Sequence, residues 1–120
     1  MRIVVLDDET YRHEYYRQVH SEHDVVACKT VGECREALKK PCDLLLLDYD
    51  LERGNSAGII AEVARLKHRP GRIVVHSRSE RGGPFLVRAL RNIGIQADSE
   101  RFSYRKAKEL LGYFPAKRAG

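Results

Sequence analysis

Leu44-Leu45-Leu46-Leu47-Asp48-Tyr49-Asp50 is the stretch on which the fold turns. The four leucines carry no polar alternation, as in a central parallel strand covered on both faces. The acids that follow end the strand and open a loop. Upstream, Thr30 with Glu33 has capping-box spacing and starts a helix that stops before Pro41. Asp24–Cys28 reads as a strand before that helix. Glu9–His20 reads as a helix, with Tyr11, Tyr15, Tyr16 and Val19 at helical spacing. Ile3–Leu6 is a β-branched run that ends in acids, the first strand.

Downstream, Asp48–Ala57 reads as a loop with Gly54, Asn55 and Ser56. Ser56 is placed to cap a helix over Ala57–His68, whose Ile59, Ile60, Val63 and Leu66 share a face. Pro70-Gly71 breaks it, and Arg72–His76 is the fourth strand. Ser77–Gly83 is a polar loop, and Pro84 suits the first position of the next helix. Gly94 ends that helix. Ile95–Asp98 is a short fifth strand and Tyr104–Gly112 a last helix. Strand and helix thus alternate five times, which predicts a single α/β domain over residues 1–113, with 114–120 a basic tail. Right-handed crossovers leave few orders, and 2-1-3-4-5 with helices on both faces, flavodoxin-like, is the expected one.

The 120 residues suit one domain; 42% are hydrophobic and 32% charged, enough for a core and a solvated surface. That composition excludes a disordered tail, a collagen-like fibre and a disulfide scaffold. No apolar run approaches the ~20 residues of a membrane span. The first acids come too early for a signal peptide, and three cysteines without a CxxC pair suit a reducing compartment, so a cytoplasmic protein is expected. Charge is uneven: residues 1–64 hold 8 Lys/Arg against 13 Asp/Glu, residues 65–120 hold 14 against 4. The basic half suggests an anionic ligand or partner. Any nucleic-acid binding would be non-specific and salt-sensitive, since no zinc-finger or RNP-type pattern is present.

In sheets of this order, ligands bind beyond the carboxyl ends of the strands. Strand one ends in Asp7-Asp8-Glu9, strand three in Asp48-Tyr49-Asp50, strand four in His76-Ser77. Carboxylates crowded there repel, and a hard oxygen-seeking cation such as Mg²⁺ or Mn²⁺ relieves them. Asp48 is placed to attack phosphorus or to ligate the metal. His76, with an unperturbed pKa near 6.5, suits acid–base work. Ser77 can donate to a phosphoryl oxygen. Arg78, Arg81 and the Gly82-Gly83 pair before a helix suggest a phosphate-binding loop, though not a P-loop. Read singly, each of these residues is a helix cap, a half-buried histidine or a solvated surface arginine. His13, His20, His23 and His68 lack ligand spacing. Cys28 is expected to pack, and Cys34 to be the exposed thiol. The tyrosines at 11, 15 and 16 are expected to pack.

At these residues the chain resembles a response-regulator receiver domain. Asp7 and Asp8 match that family's acidic pair, Asp48 its phosphoacceptor and Ser77 its Ser/Thr switch. The resemblance implies a Mg²⁺-dependent aspartyl-phosphate site. The chain lacks the family's Lys after strand five, where it reads Ala97-Asp98-Ser99-Glu100-Arg101-Phe102. It is more similar to the cyclic-phosphate processing receiver domains. Leu6-Asp7-Asp8-Glu9 with Arg12, Leu47-Asp48-Tyr49-Asp50-Leu51 and Val74-Val75-His76-Ser77 follow that branch's motifs in order. Tyr49 stands where the branch carries a histidine, and is a poorer base at neutral pH.

The expected function is divalent-metal handling of a cyclic phosphate, on a small molecule, a nucleotide or an RNA end, as a metal-dependent phosphodiesterase. Asp7, Asp8 and Asp48 would hold the metal. Asp48, His76 and Asp8 are the catalytic candidates. In hydrolysis, water attacks phosphorus while His76 accepts its proton or delivers one to the leaving sugar oxygen. Ser77, Arg78 and Arg12 would hold phosphate oxygens, with Tyr49, Asp50 and Glu9 behind them. The rival expectations are a stand-alone signalling receiver, phosphorylated on Asp48 and acting on a protein partner, and a non-catalytic anion- or nucleotide-binding module.

Overall fold

A computed structural model describes residues 1–51, 54–77 and 81–115. Five parallel strands form one sheet: β1 (Arg2–Leu6), β2 (Asp24–Cys28), β3 (Leu44–Asp48), β6 (Arg72–His76) and β7 (Ala97–Glu100), in the order β2-β1-β3-β6-β7. Counting sheet strands alone, this is the expected 2-1-3-4-5. The loop after β3 contains a feature the sequence reading left out. Here β4 (Asp50–Leu51) and β5 (Gly54–Asn55) pair antiparallel.

The helices are α1 (Thr10–Val19), α2 (Val31–Ala37), α3 (Ile59–Arg65), α4 (Gly82–Asn92) and α5 (Tyr104–Leu111). Caps explain several of their ends. The Thr30 hydroxyl accepts from Glu33 N at 3.1 Å, and Ser103 Oγ from Lys106 N at 3.2 Å. Gly112 ends α5 in the left-handed region (φ 83°), where glycine has no Cβ penalty. Among the described residues, no helix is long and apolar enough to cross a membrane.

Some expected boundaries and exposures are corrected. Ser56 caps nothing: α3 starts after Gly58, and the Ser56 hydroxyl is buried without a hydrogen-bond partner. Helix α2 stops at Ala37, with the buried Leu38 as its C-cap, short of the expected end before Pro41. Helix α4 starts at Gly82, two residues before Pro84. Strand β7 lies two residues later than Ile95–Asp98, because Ile73 pairs with Ala97. Cys34 is fully buried, not the exposed thiol. Of the basic tail, residues 116–120 lie outside the described residues.

Side chains alternate across the strands. Val4, Leu6, Leu45, Leu47, Ile73 and Val75 face α2, α3 and α4 and are completely buried. Each such side chain contributes about 1.5–3 kcal/mol of burial. Ile3, Val5, Leu46 and Val74 face the other way, with Tyr16 of α1 and Phe102 packed against them. The same alternation carries Asp7, Asp48 and His76 onto this second face, where β1, β3 and β6 end.

Candidate functional site

Register brings the strand ends together. Asp48 is the direct neighbour of His76 across β3 and β6, and Tyr49 N donates to the His76 carbonyl at 2.8 Å. Asp7 is tied to the end of β2 by its N–H donating to the Cys28 carbonyl at 3.0 Å. Carboxylate oxygens of Asp7, Asp8 and Asp48 lie within 4.8 Å of one another. Local turns aim two of these carboxylates. Asp7 Oδ1 accepts from Glu9 N at 2.9 Å, and Asp48 Oδ1 from Asp50 N at 3.2 Å.

The site crowds negative charge. Asp7 and Asp48 are 1% and 4% exposed. Burial pushes the Asp7 carboxyl up to about 6, against the lowering effect of Arg12. It pushes Asp48 up to about 7, helped by the Asp7 charge and opposed by Arg12. The guanidinium of Arg12 reaches in from α1. Its Nη1 lies 3.3 Å from Asp7 Oδ2 and 3.5 Å from Asp48 Oδ2. Burial works against the charge on Arg12, but Asp7, Tyr104 and Asp48 outweigh it and hold the guanidinium protonated. Among the described residues, the guanidinium of Arg12 is the cation placed against Asp7 and Asp48, and the three carboxylates all offer hard oxygen donors. That donor set fits a divalent ion of the Mg²⁺ class.

Arg12 is also held from behind. Its Nη2 donates to the Tyr104 hydroxyl at 3.0 Å, and Tyr104 donates on to Glu9 Oε2 at 2.9 Å. Arg12 Nε lies 3.2 Å from Glu9 Oε2, an ion pair by proximity without hydrogen-bond alignment. The guanidinium carbon sits 4.8 Å from the centre of the Phe102 ring and 5.5 Å from that of Tyr104. These cation–π contacts add to the fixation.

A cavity of about 210 Å³ opens beside the acids, lined by Arg12, His76, Ser77, Arg101, Phe102 and Tyr104. His76 Nδ1 is 3.1 Å from the Glu100 carbonyl oxygen. A carbonyl only accepts, so the neutral ring carries its proton on Nδ1 and its lone pair on Nε2. Burial lowers the His76 pKa. Near neutral pH the imidazole is therefore a base, and a poor proton donor. Ser77 Oγ donates to Asp50 Oδ2 at 3.1 Å, which ties the β6 and β3 loops together.

The structure thus brings Asp7, Asp8, Asp48, Arg12, His76 and Ser77 to one edge, with Glu9 and Asp50 as their partners. Arg78 lies outside the described residues. Tyr49 has turned toward α4: a Cβ at Gly82 would come within 2.3 Å of its ring. A Cβ at Gly83 would stand 3.0 Å from Ser99 Oγ and 3.2 Å from Ser77 Cβ. The glycine pair does permit close approach, but side chains of this protein occupy the space. Sequence reasoning missed Arg101, Phe102 and Tyr104. The signal was available, since these residues follow the fifth sheet strand and strand ends are where such sheets bind ligands.

The model of the cyclic-phosphate processing receiver domain family matches residues 2–92. No curated protein matches the chain. Among solved structures, a CheY-like response regulator receiver domain protein from Methanospirillum hungatei JF-1 superposes with a TM-score of 0.67 at 19% identity, over 92% of this chain and 87% of that one. The response regulator TrrA from Thermotoga maritima, solved in complex with Mg²⁺-BeF, gives 0.63 at 17% identity, over 92% and 96%. The receiver domain of the TMAO respiratory system response regulator TorR gives 0.64 at 21%, over 92% and 96%. At these identities the likeness is one of fold.

Proposed function

The chain belongs to the cyclic-phosphate processing receiver domain family, and from that premise we propose that it binds a cyclic phosphate ester at the ends of β1, β3 and β6 and opens it with water. The observation that carries this reading is the shared wall. Arg12 touches Asp7 and Asp48 and also lines the cavity that holds His76 and Ser77. A phosphate there meets a fixed cation, a hydroxyl and a base within one small space.

Each residue then has a task. Arg12 holds the non-bridging phosphate oxygens through a guanidinium that cannot lose its proton, and Ser77 joins it by turning its one hydroxyl proton from Asp50 to the phosphate. His76 Nε2 takes a proton from water, whose oxygen bonds to phosphorus while one bond from phosphorus to a ring oxygen breaks. The product is a phosphomonoester, and the released oxygen takes up a proton from solvent. Asp7, Asp8 and Asp48 would hold a divalent cation, which supplies compensation for charge building on the phosphoryl oxygens. Tyr104 and Phe102 keep Arg12 in place.

The test is the kinetics of His76→Ala on a nucleoside 2′,3′-cyclic phosphate with Mg²⁺. General base catalysis typically contributes 10²–10⁴-fold. The expected result is a kcat lower by about 10²-fold or more with binding changed less than about threefold. Equal loss in binding and turnover would remove His76 from proton transfer.

A second reading rests on the receiver fold and on TrrA, a structural neighbour captured with Mg²⁺-BeF. Asp48 then accepts a phosphoryl group and the chain signals to a protein partner. Against it stands the stretch 97–102 at the end of β7, which carries no lysine where receivers place one beside the phosphoryl group. Among the described residues, Arg12 instead brings a cation to Asp48, from α1.

A further inference from the structure

The cavity at Arg12 does not end at His76. A groove of about 290 Å³ runs from it down the α1–α5 side of the sheet, and His76, Arg101 and Phe102 line both spaces. Taken alone, each space is smaller than the roughly 300–1,000 Å³ of small-molecule sites; joined, they fall inside that range. Along β6 the groove passes Val74 to reach Arg72. Four residues of strand cover about 13 Å at 3.3 Å per residue, which accommodates a nucleoside.

The lining of the groove suits a planar, partly polar group. Tyr15, Tyr16 and Phe102 form an edge-to-face cluster, with centroids 5.3 to 5.9 Å apart. The Tyr16 ring also lies 5.7 Å from the His76 ring. Leu44, Leu46 and Val74 make the floor. One observation stands apart from the shape. Tyr16 is 5% exposed, and its hydroxyl is buried without a hydrogen-bond partner. Leaving a buried hydroxyl unpaired is unfavourable, and Asp7, Arg12 and Asp48 are among the charges that act on it, which places it at the phosphate end of the groove.

We propose that this groove is a nucleoside subsite. The base and sugar lie between α1 and β6, while the cyclic phosphate lies at Arg12, His76 and Ser77. The substrate class is then a nucleoside cyclic phosphate, free or at the end of an RNA strand, and not a base-free sugar or polyol cyclic phosphate. This rests on the phosphate site proposed above, and adds to it a source of selectivity at a distance from the chemistry.

The test compares two ligands by calorimetric titration in Mg²⁺: adenosine 2′,3′-cyclic phosphate and ribose 2′,3′-cyclic phosphate. The expected result is at least tenfold tighter binding of the nucleoside compound. Tyr15→Ala, which removes part of the aromatic wall, narrows that preference to below about threefold. Tyr16→Phe, which deletes only the unpaired hydroxyl and keeps the ring, leaves it above about tenfold; the comparison within the unaltered protein decides the matter whatever either variant does to folding. Equal binding of both ligands by the unaltered protein overturns the subsite and leaves the phosphate site standing. Binding of neither overturns both. A short RNA ending in the cyclic phosphate separates the sources. Affinity above that of the mononucleotide supports a strand end, and equal affinity supports a free nucleotide.

Discussion

On the α2–α3–α4 side of the sheet, Leu6, Leu45, Leu47, Ile73 and Val75 are completely buried and apolar side chains fill the layer. On the α1–α5 side the same strands present Leu46 and Val74 under a groove, and they end in Asp7, Asp48 and His76. Both faces belong to the same five strands and differ only by one residue of alternation. The first is built from groups whose burial is favourable. The second buries two carboxylates whose charged forms burial disfavours, an imidazole that burial keeps neutral and a hydroxyl with no partner. A chain that tolerates such costs on one face has to recover them on the other, so stability and binding are expected to respond to mutation in opposite ways.

The largest effect comes from breaking the filled face. Leu47→Ala is expected to cost about 3 kcal/mol, within the range of roughly 2–5 kcal/mol for leucine truncation in a core. Urea denaturation measures it. A loss below 1 kcal/mol would show that this layer is not close-packed.

Next is the response to pH. Asp7 and Asp48 have folded-state pKa values raised to about 6 and about 7. Between the unfolded value near 3.9 and these values, the folded chain binds more protons than the unfolded one. Stability from this pair is therefore fully present below about pH 4 and falls as pH rises to about 8, by several kcal/mol. Millimolar Mg²⁺ at pH 8 is expected to restore much of it, because an ion that binds only the folded state stabilises that state. Melting curves from pH 4 to 8, with and without Mg²⁺, check both parts.

Asp48→Asn sharpens the contrast further. The amide has nearly the same shape and no charge to desolvate. Without Mg²⁺ at pH 8 it is expected to gain about 1 kcal/mol of stability while losing the stabilisation by Mg²⁺. The smallest effect is that of Tyr16→Phe. Deleting a buried hydroxyl without a partner is expected to leave stability within about 0.5 kcal/mol, or to raise it. A loss above 1 kcal/mol would mean that the hydroxyl has a partner within the chain.

Much of this architecture was legible in the sequence because it is local. The run Leu44–Leu47 and the β-branched strands around it name a parallel sheet, and the ends of those strands name Asp7, Asp8, Asp48, His76 and Ser77. Arg12 was singled out through its place in the Leu6–Arg12 motif. What stayed hidden depends on tertiary contact. The place of Phe102 and Tyr104 after the fifth sheet strand marks them as near the site, but does not show that α5 returns beside α1 to clamp Arg12. Tyr16 reads as ordinary helix packing until its hydroxyl is found without a partner. Cys34 lies on the buried side of α2, which a helix of seven residues is too short to reveal by periodicity. The glycines at 82 and 83 signalled close approach, but only the folded loop shows that Tyr49 and Ser77 fill the space.

The central claim is that the open face handles a cyclic phosphate. The direct measurement is ³¹P NMR of the protein with Mg²⁺, a nucleoside 2′,3′-cyclic phosphate and acetyl phosphate together, with Asp48→Asn as control. The account predicts that the cyclic signal converts to a monoester and that the conversion is lost in the control. A protein-bound acyl phosphate with the cyclic nucleotide untouched would contradict it and make the chain a phospho-accepting receiver.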